Sequence, residues 1–156
     1  ALPADIHLEV RKTSSLNRIA SNRTALQLVL LNLLFNARDA MPEGGRIRIE
    51  LSESPAGGPV AVDVGQVPSG GFVRLSVCDT GPGMDEGLRT RLFGTLVSTK
   101  PPGRGHGLGL FMVGQFVERT GGGLGIESTP GRGTCMHLLL PRQPEVSGGQ
   151  LSLTGE

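Results

Sequence analysis

The chain has 156 residues, a net charge of +1 and 19% charged residues, which suits one compact domain and excludes the strongly basic surface of a nucleic-acid binder. With no Trp or Tyr and only five Phe it also lacks the aromatic platforms on which exposed bases stack, so nucleic acid is not expected among its partners. No apolar run reaches membrane-spanning length and no charged-then-apolar signal segment opens the chain, which together give the expectation of a cytoplasmic domain whose parent protein is membrane-anchored or not.

In chain order, a first strand is predicted over 6–11, where Ile6, Leu8 and Val10 alternate with His7, Glu9 and Arg11. A helix follows. Its start falls at Ser21, Asn22 or Thr24, with Thr24 and Gln27 spaced as a capping box, and Met41-Pro42 followed by Gly44-Gly45 ends it. Within it, "NLLFNARDAMPEGG" (32–45) sets Asn32, Asn36 and Asp39 on one stripe and spreads Leu30, Leu33, Leu34 and Ala37 over the other side. Asparagine is a poor helix former and a buried unpaired amide costs about 1–3 kcal/mol, so the stripe faces either a wet or ligand-filled cleft or bulk solvent.

"RIRIEL" (46–51) and "FVRLSV" (72–77) alternate as strands, with a Pro/Gly-rich loop over 54–71 between them. "DTGPGM" (79–84) reads as a turn, a short helix lies near 85–92, and a Gly/Pro-rich segment runs to Gly107. Helical periodicity returns over Leu108–Arg119 and stops at Gly121-Gly122-Gly123; strands over 124–128 and 134–140 flank "TPGRG". Residues 1–140 therefore make one domain, and 141–156 a flexible tail or linker.

Alternating strands mixed with two substantial helices indicate an α+β two-layer sandwich, with helices packed on one face of a mixed, mostly antiparallel sheet. Parity then locates polar groups. If Val73, Leu75 and Val77 face the helices, Asp79 does too, and Thr134 keeps company with Met136, Leu138 and Leu140. A carboxylate in that layer either braces the backbone or recognises a ligand that presents a donor such as an exocyclic amine. Cys78 and Cys135 lie in apolar strand-like runs, far from any CxxC or zinc-type spacing, and are read as two small buried thiols.

"GRGHGLGL" (103–110) leads straight into a helix but satisfies neither GxxxxGK[ST] nor GxGxxG. The free N–H groups opening the helix after Gly107 form an anion site that the glycines let phosphate approach; the alternative is a glycine-rich flexible loop.

These stretches, taken in order over residues 6–140, resemble the boxes of the catalytic ATP-binding domain of sensor histidine kinases. "NLLFNARDAMPEGG" resembles the N box, "DTGPGM" the first glycine box, "LFGTLVSTK" the segment with the F box, and "GRGHGLGL" with "STPGRGT" the later glycine boxes. The wording "NARDAMPEGG" is similar to that of nitrogen-regulation-type and hybrid kinases. The resemblance implies the Bergerat ATP-binding fold shared with DNA gyrase, mismatch-repair ATPases and heat-shock chaperones, with ATP and Mg2+ as cofactors. It further implies that the Asn36 amide oxygen meets Mg2+, that Asn32 one turn earlier contacts the metal's water or the phosphates, and that Asp79 accepts from the adenine amino group. Gly81 and Gly83 would let the backbone pass beside the base, and Thr134 would support Asp79 through a hydroxyl or water. Residues 84–106 would form the ATP lid, with Lys100 the cation for the terminal phosphates and Arg104 a second one. Gly105, His106, Gly107, Leu108 and Gly109 would line the phosphates.

Three departures from the family stand out: His106 replaces the usual Thr, Thr95-Leu96 follow Phe93 where Pro-Phe is common, and Asp39 stands where some kinases have a basic residue, so that it binds a metal water or braces the helix. The related ATPases carry a glutamate in place of Asn32 to activate water; an amide cannot accept that proton, so slow hydrolysis is expected. The implied reaction is phosphoryl transfer from ATP to a histidine on a dimerisation domain outside this chain, followed by a response-regulator receiver domain, with a homodimeric parent and a monomeric fragment. The three histidines, His7, His106 and His137, lack the helical setting and acidic neighbour of an acceptor. A hydrolytic ATPase of the same fold, and a regulatory nucleotide-binding module without transfer, are the alternative readings.

Overall fold

The computed structural model describes residues 5–12, 23–54, 62–101 and 108–142. Its elements in chain order are β1 (Ile6–Lys12), α1 (Arg23–Asp39), β2 (Gly45–Ser54), β3 (Val64–Gly65), β4 (Phe72–Asp79), α2 (Glu86–Val97), α3 (Leu108–Thr120), β5 (Gly123–Ser128) and β6 (Thr134–Pro141). The strands form one six-stranded sheet in the order β1-β2-β4-β6-β5-β3. β1 runs parallel to β2 and the other four pairings are antiparallel, so the sheet is mixed and mostly antiparallel, as its alternating strands imply.

Alternation decides which residues enter the core. Ile47 and Ile49 of β2, Leu75 and Val77 of β4, Met136, Leu138 and Leu140 of β6 and Leu124 and Ile126 of β5 are buried in one cluster with Val29, Leu33 and Ala37 of α1 and Val113, Phe116 and Val117 of α3. No helix among the described residues is long and apolar enough to cross a membrane.

α2 extends five residues beyond the predicted end near 92 because Leu92 and Leu96 are both buried, at 7% and 1% exposure. Asp85 caps it, its carboxylate accepting the Leu88 N–H at 2.8 Å. Arg89 ties it to the sheet, donating to the Ile126 carbonyl at 2.8 Å and standing 3.7 Å from Asp63, whose carboxylate accepts the Ile126 N–H. Much of the segment expected to form a lid is thus a helix anchored on β5. Gly114 of α3 lies against the Leu96 carbonyl so closely that a Cβ has no room, which is what lets α2 and α3 approach.

Other expectations need revision. Thr24 is the second residue of α1 rather than its cap, and Ser21 and Asn22 lie outside the described residues. Within the stretch read as a loop, Val64 and Gly65 pair with Leu124 and Gly123 as β3. Most consequentially, Cys78 and Cys135 are not two thiols but a disulfide. Although 57 residues apart in sequence, they are direct partners in the β4–β6 register, with Cα atoms 4.0 Å apart.

Two glycine substitutions test the helix packing in opposite directions. Gly114→Ala forces the Leu96 carbonyl away and should lower stability by about 1–3 kcal/mol in urea unfolding. Gly94→Ala on α2, with nothing within 4 Å of the added methyl, should raise it by about 0.4–1 kcal/mol.

Candidate functional site

Where α1 ends, β4 ends and α2 begins, the chain encloses a cavity of about 530 Å3. Asn36, Asp39 and Ala40 come from α1 and the residue after it, Asp79 from the last position of β4, Thr134 from the first of β6, and Pro82, Gly83 and Met84 from the turn between β4 and α2. Leu88, Arg91, Leu92 and Thr95 of α2 and Leu110 of α3 complete the wall. The lining is an apolar slot, built by Met84, Leu88, Leu92 and Leu110, with a few polar groups converging on it.

Asp79 and Thr134 face each other in the β4–β6 register, and alternation turns both toward the helices. The Asp79 carboxylate accepts the Gly81 N–H at 2.8 Å. Burial pushes its pKa above the usual carboxylate value of 3.8, opposed by the Gly81 and Thr134 backbone N–H groups that favour the ionised form. The Thr134 hydroxyl pairs with Ser128 Oγ at 2.8 Å, and Ser128 Oγ also accepts the Met84 N–H at 2.9 Å. Thr134 therefore reaches Asp79 through its backbone, while its hydroxyl helps hold the turn.

That turn is clasped by a second one. Gly83 has φ +75° and sits against the Thr129 carbonyl, and the Gly131 N–H donates to the Pro82 carbonyl at 2.6 Å. On the other side, Thr80 Oγ1 accepts the Arg46 N–H at 3.0 Å and lies 3.6 Å from Met41 Sδ, which fixes the turn to the end of α1.

The cavity brings together Asn36, Asp39, Asp79, Gly83 and Thr134, with Gly81 bonded to Asp79 beside it. Asp39 is held by Arg38 at 3.0 Å. Asn32 does not share that cavity: it lines a neighbouring cleft between α1 and α3 with Val29, Met112 and Gln115, and its Oδ1 lies 3.0 Å from where a Cβ on Gly109 would stand. Leu108 opens α3 and is 55% exposed. Lys100 is exposed and lies outside the cavity wall, its backbone N–H donating to Ser98 Oγ at 3.1 Å. Arg104, Gly105, His106 and Gly107 lie outside the described residues. Sequence reasoning missed Arg91, a cation on the cavity wall, and Ser128, the hydroxyl partner of Thr134.

Comparison with known proteins matches residues 21–144 to the family described as histidine kinase-, DNA gyrase B- and HSP90-like ATPases. Sensor kinase CckA of Brucella abortus (strain 2308) is 35% identical over 88% of this chain and 15% of its own length. Sensor histidine kinase ZraS of Klebsiella oxytoca is 34% identical over 87% of this chain and 26% of its own. Among solved structures, the mycobacterial sensor histidine kinase MprB superposes with TM-score 0.62 and 30% identity, covering 90% of this chain and 85% of that one. Full-length ShkA in complex with AMPPNP gives TM-score 0.65 and 29% identity, covering 91% of this chain and 27% of that one. The chain belongs to the histidine kinase-, gyrase B- and HSP90-like ATPase family. Within it, the chain is an ATP-binding catalytic domain of the histidine-kinase type, and it spans only a minor part of its kinase relatives.

The raised pKa of Asp79 fixes a sign for stability. Its native carboxylate resists ionisation, so the folded state binds more protons than the unfolded one above pH 3.8, and stability falls as pH rises through the raised value. Asp79→Asn mimics the neutral form and keeps the Gly81 N–H bond. The variant should match the wild type below pH 3.8 and unfold at higher urea concentration near neutral pH.

Proposed function

We propose that this cavity binds Mg-ATP through its adenine end and presents the nucleotide for phosphoryl transfer to a histidine on a separate dimerisation domain of the parent kinase. The observation that supports it best is the half-buried Asp79 carboxylate, held from behind by two backbone N–H groups and facing an apolar slot. A carboxylate so placed accepts from the adenine 6-amino group and repels the carbonyl oxygen of guanine, a discrimination of about 1.5–3 kcal/mol for a charged hydrogen bond. Met84, Leu88 and Leu92 supply the apolar contact that a planar base requires.

The polar end of the cavity suits Mg2+ that arrives with phosphates rather than a free cation. Asn36 offers a neutral amide and the Asp39 carboxylate is shared with Arg38, so the chain brings little net negative charge and the phosphates complete the set. When bound, Mg2+ neutralises charge on the phosphoryl oxygens. Asn36 would hold it, Asn32 would stand near its water shell, and Asp39 braces the end of α1 through Arg38. Arg91 on the wall and Lys100 after α2 are described cations that would meet phosphate, joined by the backbone of Leu108 and Gly109 at the start of α3 and, on the resemblance alone, by Arg104, Gly105, His106 and Gly107.

An amide at Asn32 cannot deprotonate water, which favours preserving ATP for a protein nucleophile over the hydrolytic reading. The downstream partner is then a response-regulator receiver domain, and the working compartment is the cytoplasm, where ATP is.

Titration calorimetry tests the reading. Wild type should bind Mg-ATP at least about tenfold more tightly than Mg-GTP, and Asp79→Asn should abolish that preference. Asn36→Ala should weaken Mg-ATP without changing the preference. Equal affinities for the two nucleotides in the wild type would remove the adenine assignment.

A further inference from the structure

The sheet face away from the helices carries a second cluster of reactive groups. Cys78 and Cys135 share one rung of the β4–β6 ladder, and Glu127 of β5 is the partner of Cys135 on its other side. His137 lies two residues along β6, so alternation puts it on the same face. A carboxylate oxygen of Glu127, Sγ of Cys135 and a ring nitrogen of His137 all fall within 4.8 Å of one another. Cys78 Sγ is bonded to Cys135 Sγ, so breaking that bond frees a second sulfur at the edge of the cluster.

The imidazole is already oriented. Ser76, 1% exposed, is the partner of His137 in the register and is hydrogen-bonded to its Nδ1 at 2.7 Å, while Glu127 Oε1 lies 2.9 Å from Nε2. A metal-ligating histidine characteristically uses its second nitrogen on such an oxygen, which fixes the ring and the tautomer. The side chain of Glu127 is 76% exposed, so the cluster opens to solvent on the β5 side. Two cations flank the cluster: Arg48, across the rung from Cys78, stands 3.7 Å from Glu50 on β2, and Arg132 lines a pocket with Glu127 and Cys135.

We propose that the reduced chain binds a thiophilic divalent cation, Zn2+ by preference, through the thiolates of Cys78 and Cys135, the imidazole of His137 and the carboxylate of Glu127, and that the disulfide is the metal-free alternative to this state. Two sulfurs, one imidazole and one carboxylate make a borderline-soft tetrahedral set, which suits zinc and not Mg2+ or Ca2+. A disulfide offers no thiolate, so the two states exclude each other. Passage between them balances with a thiol reductant. Two reductant thiols become a disulfide as the Cys78–Cys135 bond breaks and two S–H groups form; metal binding then releases both thiol protons to solvent and forms two metal–sulfur bonds. Occurrence in the cell rests on the cytoplasmic reading above, since that compartment keeps thiols reduced. The binding chemistry does not depend on it. The cluster is one rung from Asp79 and Thr134, on the opposite face of the same two strands.

Cobalt titration of the full chain tests this. Chain reduced with a dithiol under argon, freed of reductant and showing two titratable thiols, should bind one Co2+ with a sulfur-to-cobalt charge-transfer band, and Zn2+ should displace it. Oxidised chain should show no band. Cys135→Ala should lose the band, and His137→Ala, which leaves both cysteines in place, should lower affinity by about tenfold or more. If reduction lowers the circular dichroism signal, restoration by Zn2+ supports the site and failure to restore it counts against it. Reduced wild type without a charge-transfer band overturns the proposal, as does unchanged affinity in both His137→Ala and Glu127→Gln.

Discussion

The register of β4 against β6 is the constraint on which the rest depends. At one end of that ladder Asp79 is paired with Thr134, and alternation sends both into the layer between sheet and helices. A slip of β4 by one residue would turn Cys78 toward the cavity and the Asp79 carboxylate to the far face, away from Thr134. Several close contacts hold the register in place: Gly133, at φ +82°, lies against the Asp79 carbonyl, Gly83 lies against the Thr129 carbonyl, and no side chain fits at either point. Two glycine turns interlock, and the cavity floor follows from their packing.

The same parity argument explains how much was legible. Alternation along short strands gave the sheet, its helix-covered face and the position of Asp79, because a period of two survives without knowledge of neighbours. The stripe of Asn36 and Asp39 in α1 is legible from the helical period of 3.6, which is equally local. Pairing was not visible. Cys78 and Cys135 sit in runs 57 residues apart, and nothing in their local spacing announces that they oppose each other, so the disulfide and the partnership of Glu127 with His137 appear only with the register. Ser128 was missed on the same ground. The sequence predicts a shorter α2 because its buried apolar residues are few, Leu88, Phe93 and Val97 are all exposed by more than 40%, and burial of Leu96 is set by Gly114 on another helix.

Asn32 and Asn36 show where a sequence pattern and a cavity part company. One helical turn separates them, yet Asn36 lines the cavity beside Asp79 and Asn32 lies in the cleft toward α3, close to Gly109. Gly109 stands in the first turn of α3, so Asn32 occupies the seam between the polar end of α1 and the helix start expected to meet phosphate. A carboxylate there would add negative charge beside the phosphates and a base for water; an amide adds neither. In this account, what the chain holds it does not hydrolyse.

The central claim is therefore that the domain keeps ATP intact until an acceptor histidine arrives. Incubating the chain with Mg2+ and γ-labelled ATP, with and without the dimerisation-helix domain of its parent kinase, tests it most directly. The account predicts slow release of phosphate, no label on His7, His106 or His137, and acid-labile, base-stable label on the supplied domain. Rapid phosphate release without an acceptor, or label on one of the chain's own three histidines, would contradict it.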